Sequence, residues 1–230
     1  MQIDKVKFGA YTGIRLSTMQ DLSWDCRLLL LRLFNRILPS RRKSINLLTA
    51  LTNVKLHFGS GPRIFPGWIN VDGYPHPGID AQIDLRYRLP LSTGSCCYIF
   101  SEHILEHFNL EDGKTICDEF YRLLKVGGVV RIIVPDAEKF WSAYQVKDLE
   151  WFQSMNNFGN TALEGVNSIY YNHFHKCMYD FDLLHSILSE AGFIKIIRSV
   201  YQGSAHSDLH QERDDPVNRG CSLYVEATKI

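Results

Sequence analysis

The sequence lacks the marks of a secreted or membrane-spanning protein. None of its six cysteines forms a C-x-x-C pair, and the adjacent Cys96 and Cys97 are poorly placed for a mutual disulfide. The first residues lack the apolar stretch of a secretory signal, and no apolar run approaches the roughly 20 residues that span a bilayer. We therefore expect a cytoplasmic protein whose thiols are reduced and mostly buried.

A charge imbalance is also missing. The chain has 25 basic and 25 acidic residues, so we expect no nucleic-acid partner. The charge is nevertheless uneven, because residues 1–53 contain nine Lys or Arg against three Asp. Repeats and low-complexity tracts are absent as well. With 230 residues, 45% of them hydrophobic, the chain is long enough for one domain with a full core and some appendages.

Residues 1–53 are predicted to form a basic helical arm. Residues 22–38 have the helical period, and Pro39 with Ser40 is expected to stop the helix before the basic run 41–43. One face of this helix carries Trp24, Leu28, Leu31 and Leu38. Such a stripe favours packing over an edge or face of the main domain. The alternative is a basic amphipathic helix that lies on a membrane surface or a partner.

Residues 54–230 alternate short apolar runs with helical segments, which predicts an α/β domain with a mostly parallel sheet. The expected strands are 54–58, 68–71, 81–83, 97–100, 129–134, 194–200 and 223–228. The expected helices are 110–124, ended by a glycine cap at Lys125-Val126-Gly127-Gly128, and 181–191, capped by Gly192. Residues 137–178 are aromatic-rich and are predicted to be irregular.

The loops that follow the strands carry the candidate binding residues, because ligands bind beyond the carboxyl ends of parallel strands. The first loop is Gly59-Ser60-Gly61-Pro62, whose glycines let the backbone approach a ligand closely. Asp72 and Gly73 follow the second strand, and a carboxylate there suits a ribose diol. Asp84 and Leu85 follow the third, where a carboxylate and an apolar side chain suit an adenine. Together these loops favour a nucleoside ligand over simple turns.

Three motifs then give the chain a family resemblance. They are G-S-G-P-R-I-F-P-G-W-I-N-V-D from Gly59 to Asp72, H-I-L-E-H from His103 to His107, and R-L-L-K-V-G-G from Arg122 to Gly128. With Ala191-Gly192-Phe193, these resemble the class I S-adenosylmethionine-dependent methyltransferases, in particular a small bacterial type. The resemblance covers residues 54–136 and 173–200, more than half of the chain.

The resemblance implies a Rossmann-like sheet of about seven strands with an antiparallel last strand. It places the methionine part of S-adenosylmethionine on Gly59–Gly61, the ribose on Asp72 and the adenine near Asp84 and Leu85. It also places Ser101, Glu102 and His103 beside the sulfonium. Only about nine residues separate the first two predicted strands, so the first crossover should be shortened, with a helix of one or two turns at most.

The chain departs from this family at three places. The usual acidic residue two positions before the first glycine is His57, and Ser60 replaces the small thiol common between the glycines. The Asp that commonly precedes the fourth strand is replaced around Cys96 and Cys97. The change at His57 weakens the expected contact with the amino group of the cofactor.

The expected reaction is in-line methyl transfer to a small-molecule or sugar-type acceptor, with S-adenosylhomocysteine as product. The cofactor carries the chemistry, and the protein aligns the acceptor and excludes water. A hydroxyl acceptor needs a base, for which His103, His107 and His175 are the candidates. Residues 137–178 are the candidate acceptor lid, although their aromatic residues also suit ordinary core. The oligomeric state and the acceptor stay open.

Two other functions remain as alternatives. A non-catalytic relative could bind the cofactor as a sensor or as an accessory subunit, since fold does not fix function. The sequence His103-x-x-Glu106-His107 also spells an inverted zinc-protease motif, for which His173, His175, His206 and His210 are possible third ligands. Because the motif follows a strand of a nucleotide-type sheet, we assign no metal ligand from the sequence.

Overall fold

A computed structural model describes residues 16–155, 160–171 and 174–230, with side chains from residue 22 onward except Tyr170 and Tyr171. The strands are β1 (Val54–Phe58), β2 (Ile69–Asp72), β3 (Ala81–Gln82), β4 (Cys96–Glu102), β5 (Leu124–Pro135), β6 (Lys195–Ser199) and β7 (Ser222–Thr228). The helices are α1 (Leu16–Ile37), α2 (Pro39–Thr49), α3 (Leu110–Leu123), α4 (Ala137–Gln145), α5 (Leu149–Ser154), α6 (Ala162–Tyr171), α7 (Phe181–Glu190) and α8 (Pro216–Cys221). Leu105–His107 and Ser207–Leu209 form short 3-10 turns.

The seven strands form one sheet in the order β3-β2-β1-β4-β5-β7-β6. Strand β1 pairs in parallel with β2 and β4, and β4 pairs in parallel with β5. Strand β7 runs antiparallel between β5 and β6. The expected α/β Rossmann-like sheet with an antiparallel last strand is thereby confirmed. The order reverses between β1 and β4, which is the point where open α/β sheets bind ligands.

Alternation along β1 divides the core between the two faces of the sheet. Leu56 and Phe58 point into the larger cluster, which α2, α3 and α7 cover. His57, between them, points to the opposite face beside Phe65 and Phe100. Burial of a large apolar side chain stabilises the fold by roughly 1.5–3 kcal/mol, so both faces contribute to holding β1 in the centre of the sheet.

The connection from β1 to β2 is shortened as expected and consists of turns, within the expected limit of one or two helical turns. The segment is too short for a helical crossover. Its residues Phe65 and Trp68 instead pack on Phe100 and cover the face that a helix would cover. The Asn70 side chain fixes this loop, because it accepts from the Phe65 amide and donates to the Phe65 and Trp68 carbonyl oxygens.

The end of α3 also differs from the prediction. The expected glycine cap is wrong, because the helix ends at Leu123 and Leu124 already has extended geometry. Strand β5 starts at Leu124 and includes Gly127 and Gly128. A Cβ on Gly128 would lie 2.9 Å from the Lys125 carbonyl oxygen and 3.1 Å from that of Cys97, so glycine is needed there for close backbone approach. The Gly192 cap of α7 is confirmed, with φ of +107°.

The basic arm packs on the sheet domain through α1. Leu28 and Leu31 are buried, whereas Leu38, which was expected on the same face, is exposed. Pro39 ends α1 as expected but then begins α2, so the basic run 41–43 is helical. The outward face of α1 exposes Leu22, Leu29, Leu30, Leu33 and Ile37. Among the described residues, no helix combines the length and apolarity required to cross a membrane.

Most of the described part of residues 137–178 is helical, so the predicted irregular structure is wrong there. Helices α4, α5 and α6 pack around Phe140 and Phe152 in a cluster of their own. Gly165 permits this packing, since a Cβ at that position would lie 2.3 Å from the Phe152 ring. His173 lies outside the described residues.

Candidate functional site

A cavity of about 550 Å³ lies at the carboxyl ends of β1 to β4. Its size is typical of sites for small ligands. The sheet side of its wall consists of Gly59, Gly61, Asp72, Gly73, Tyr74, His76, Asp84, Leu85, Glu102, His103, Ile104, His107 and Phe108. The remaining wall comes from Ser23, Trp24, Arg27 and Leu28 of α1 and from Phe174, Lys176 and Arg213. The loops that the sequence singled out therefore meet in one place, and the arm covers it.

The glycine turn after β1 gives room rather than free amides. Gly59 has φ of +72°, and a Cβ there would lie 2.4 Å from the Ile104 side chain, so only glycine fits. The Gly59 and Ser60 amides both donate to the Val71 carbonyl oxygen, and the Gly61 amide donates to Asp72. These amides are already used by the protein, so an anionic ligand group must find its donors elsewhere on the wall.

Asp72 is buried, and its carboxylate is held from two sides. Oδ2 accepts from the Gly61 amide at 2.8 Å, and Oδ1 accepts from the Tyr74 amide at 2.7 Å. A carboxylate has about four lone-pair sites, so acceptor capacity remains on the cavity side. Gly73 next to it leaves space for Trp24, whose ring would lie 3.3 Å from a Cβ at that position.

Asp84 lies on the cavity wall, but its carboxylate is already paired. Arg86 donates to Oδ1 through Nε at 3.0 Å and to Oδ2 through a terminal nitrogen at 3.1 Å. Arg32 of α1 lies 3.6 Å from Oδ2. Asp84 therefore joins the arm to the end of β3. The adjacent Leu85 is buried and presents an apolar surface to the cavity.

Glu102, at the end of β4, is buried between two arginines. Its Oε2 pairs with Arg63 and lies 3.4 Å from Nε of Arg213, while Oε1 accepts from the Arg213 amide at 2.9 Å. Arg213 also lines the cavity. The contacts with Glu102 fix the Arg213 guanidinium at the cavity wall. This guanidinium supplies donors for a carboxylate group of a ligand.

Three predicted binding residues do not line the cavity. Ser60 is buried and its hydroxyl donates to the Gly61 carbonyl oxygen, whereas Pro62 is exposed outside the cavity. Ser101 is buried within β4, and its Oγ has no hydrogen-bond partner among the described residues. At these two places the cavity is lined by the neighbouring residues instead: Gly59 and Gly61 in the glycine turn, and Glu102 at the end of β4.

A buried carboxylate organises the three candidate catalytic histidines. Oε1 of Glu106 lies 3.1 Å from Nδ1 of His103 and 3.9 Å from Nε2 of His175. The rings of His107 and His175 meet edge to face with centroids 4.9 Å apart. Burial raises the pKa of Glu106, but the His103 hydrogen bond and the three nearby rings outweigh it and hold the pKa below its ordinary value. His103 and His107 line the cavity, whereas His175 does not line it and contacts the His107 ring.

The backbone at His103 is left-handed, with φ of +53°. Such backbone is unfavourable for most residues and is often found at functional sites. Because an ionised carboxylate only accepts, Nδ1 carries the proton that faces Glu106, and Nε2 faces the Ser222 hydroxyl at 2.9 Å. The Ser222–His103–Glu106 chain has the connectivity of a hydrolase triad. However, Ser222 is buried and does not line the cavity, so it orients the ring rather than attacking a substrate.

The inverted zinc-protease motif does not have the geometry its chemistry needs. Both histidines of that motif should lie on one helix face, but His103 follows the end of β4 outside any helix, and only Leu105–His107 forms a single 3-10 turn. His206 binds Tyr98, and His210 lies against the Ser204 carbonyl oxygen, away from the cavity wall. The residues that do come together are Glu106, His107 and His175.

His57, the departure next to the glycine turn, does not reach the cavity. Its ring stacks on Phe65 at 3.7 Å, and Nδ1 lies 3.2 Å from Oδ1 of Asn70. Burial lowers its pKa to about 4, with help from the positive charges of Arg63 and Arg213. His57 therefore packs as a neutral ring on the far face of the sheet.

Comparison with known proteins supports the fold. No protein-family model matches the chain, and no curated protein matches it in sequence. A SAM-dependent methyltransferase from Archaeoglobus fulgidus superposes with a TM-score of 0.50 at 15% identity, over 88% of this chain and 94% of its own. A SAM-dependent methyltransferase from Thermotoga maritima gives a TM-score of 0.48 at 15% identity, over 87% and 100%. The 1,6-didemethyltoxoflavin-N1-methyltransferase of Burkholderia thailandensis gives 0.47 at 13%, over 93% and 88%. The chain has the class I methyltransferase fold.

Sequence reasoning missed the part of the wall that comes from distant segments. Trp24 stacks on Tyr74 with ring centroids 4.4 Å apart, and Arg27 lies over the same ring at 5.2 Å. The apolar stripe of residues 22–38 indicated that the helix packs on the domain, but it did not indicate that the helix covers the cavity. Arg213 lies in the irregular segment between β6 and β7, where no period or motif marks it.

Proposed function

We propose that this chain is an S-adenosylmethionine-dependent methyltransferase that acts on a small-molecule or sugar-type acceptor. The observation that carries the proposal is the buried Asp72 carboxylate, fixed by two backbone amides beside the glycine turn at the reversal of strand order. A carboxylate there can accept from both hydroxyls of a ribose. The cavity is covered by α1 and has a volume suited to a cofactor and a small acceptor rather than a macromolecule.

The other proposed cofactor contacts follow from the side chains and the free space at each part of the cavity wall. Gly59 and Gly61 give the methionine chain its space, and Arg213, held by Glu102, pairs with its carboxylate. Leu85 packs against the adenine, and the remaining acceptor capacity of Asp84 serves its amino group. Gly73 and the Trp24–Tyr74 stack cover the ribose side. Ser60, Pro62 and Ser101, which do not line the cavity, have no ligand contact in this proposal.

The acceptor lies on the histidine side of the cavity in this proposal. When bound, S-adenosylmethionine supplies a methyl carbon that its sulfonium makes electrophilic. His103 is the proposed base for a hydroxyl acceptor: Glu106 fixes the proton on Nδ1, and the acceptor hydroxyl takes the place of the Ser222 hydroxyl at Nε2. His107 shapes the wall beside it, and His175 supports His107. Residues 137–178 form the lid over the acceptor in this proposal. The packed helices α4, α5 and α6 support the lid, and its residue Phe174 lines the cavity.

The test is cofactor binding by calorimetry with S-adenosylhomocysteine. Asp72→Ala is expected to weaken binding by more than about 100-fold, because two hydrogen bonds to a charged group are lost. Asp72→Asn, which keeps one acceptor oxygen, should show a smaller loss and guards against misfolding. Asp208→Ala, at an exposed ion pair with Lys55, is the matched control and should bind normally.

Unchanged affinity in both Asp72 variants contradicts the ribose assignment. Turnover is tested separately, as formation of S-adenosylhomocysteine with a panel of hydroxylated and sugar acceptors. Binding without turnover on any acceptor favours the accessory, non-catalytic function instead.

A further inference from the structure

Glu106, His107 and His175 form a compact group of potential metal ligands. One ligand atom from each lies within 4.8 Å of the other two. Glu106 and His107 belong to one 3-10 turn after β4, and His175 comes from the segment after α6. Two imidazoles and one carboxylate are therefore brought together from two separate parts of the chain.

The Glu106 carboxylate has an unused oxygen inside the protein. Glu106 is 1% exposed, and its Oε2 has no hydrogen-bond partner within the described residues. Oε1 is taken by His103. A buried polar atom without a partner is costly, and in native structures it calls for an explanation such as a bound ion. The carboxylate that carries this oxygen belongs to the group that contains the two imidazoles.

The backbone holds the group in place. The Lys176 and Cys177 amides donate to the Glu106 carbonyl oxygen at 2.7 and 3.2 Å, which ties the segment carrying His175 to the 3-10 turn. The edge-to-face contact of His107 with His175 fixes both rings. His103 orients the carboxylate through Oε1, as partners of metal ligands commonly do.

We propose that Glu106, His107 and His175 bind a divalent first-row transition-metal ion such as Zn²⁺ or Fe²⁺ at the wall of the cavity. Imidazole nitrogens suit these ions, whereas Mg²⁺ and Ca²⁺ prefer oxygen ligands alone. Three protein ligands leave coordination positions open. Because His107 lines the cavity, an open position can take an oxygen of the acceptor. Metal binding stands on this geometry alone, and only the role toward the acceptor rests on the proposed function.

The experiment measures metal binding directly on the full, untagged chain. The protein is stripped with a chelator and titrated with Co²⁺, whose visible absorption reports the coordinating groups, and Zn²⁺ is then added as competitor. We expect one equivalent to bind. His107→Ala and His175→Ala should each lower the affinity by more than the roughly 10- to 100-fold that loss of an outer partner costs. His185→Ala, on the exposed surface of α7, is the matched control and should bind as the parent does.

Glu106→Gln keeps the side-chain shape and provides a second ligand variant if an alanine variant fails to fold, which circular dichroism reports. No Co²⁺ spectrum in the parent protein, or equal affinity in the parent and all three ligand variants, overturns the proposal. Binding of S-adenosylhomocysteine is measured on the same samples. Metal binding without cofactor binding overturns the proposed function alone, and cofactor binding without metal binding overturns the metal site alone.

Discussion

The buried His57 and the three half-buried histidines of the candidate site have opposite surroundings. On the far face, His57 is 3% exposed, lies against Phe65, and has an amide oxygen as its polar partner. On the cavity side, His103, His107 and His175 surround the buried Glu106 carboxylate. The residue type is the same, so the neighbours decide what each ring can do.

The difference lies in burial and in the sign of the nearby charges. Burial lowers the pKa of His57 to about 4, and the positive Arg63 and Arg213 act in the same direction. That ring stays neutral at physiological pH and serves packing. A carboxylate beside His103 instead fixes one ring proton and one ring orientation, which a base requires. A histidine is therefore a functional candidate here because of its partner rather than because it is buried.

The largest expected effect is on turnover. His103→Ala should lower the turnover number by about 100- to 10,000-fold, the usual contribution of a positioned base. Affinity for S-adenosylhomocysteine should change only a few-fold, since the carboxylate at Asp72 is untouched. The measurement pairs single-turnover kinetics with calorimetry.

The matched variant is His57→Phe, which removes the buried histidine ring that lies outside the cavity wall. Its turnover should stay near that of the parent. If the two variants lose turnover equally, the contrast between the two sides fails, and His103 has no special part in the reaction.

A smaller effect is expected on the pH dependence of stability. The unfolded chain binds a proton at His57 near the ordinary pKa of 6.5, whereas the folded chain binds it only near 4. Protonation therefore favours the unfolded state, and the free energy of unfolding falls as the pH drops from 6.5 to 4. The loss from this one residue is about 3 kcal/mol.

Urea denaturation at several pH values between 4 and 7 measures that loss. His57→Phe should flatten the dependence in this range, because a ring that cannot titrate replaces one that can. His185→Gln, at an exposed helix position, should leave the slope of the parent unchanged. An unchanged slope in His57→Phe means that other groups cause the acid instability.

The strands and the cavity-facing loops could be predicted because local pattern determines them. The apolar run at β1, the acidic residue that ends β2 and the one that follows β3 could be predicted directly from period and position. The structure then brings Asp72, Asp84 and Glu102 to one cavity. Short connections were harder, since the β1–β2 loop is stabilised by Asn70 and by packing on Phe100, which no local period shows.

Contacts between distant segments could not be predicted from one sequence. The stacking of Trp24 on Tyr74 depends on where α1 lies over the sheet. The pairing of Asp84 with Arg86 and Arg32 occupies part of a carboxylate that the sequence assigned to the ligand alone. The H-x-x-E-H spacing similarly suggested the wrong partners, because a 3-10 turn places Glu106 and His107, rather than His103 and His107, near His175.

The smallest expected effect separates a buried hydroxyl that has a partner from one that has none. Ser222 contacts Nε2 of His103 at 2.9 Å, whereas Oγ of Ser101 has no partner within the described part of the chain. Ser222→Ala should lower the free energy of unfolding by about 1 kcal/mol, the typical worth of one hydrogen bond. Ser101→Ala should be neutral or slightly stabilising, because an unpaired hydroxyl leaves the interior. Urea denaturation of both variants at pH 7 decides the matter. Equal changes would mean that the Ser222 contact does not hold the His103 ring, and the orientation of the base would then depend on Glu106 alone.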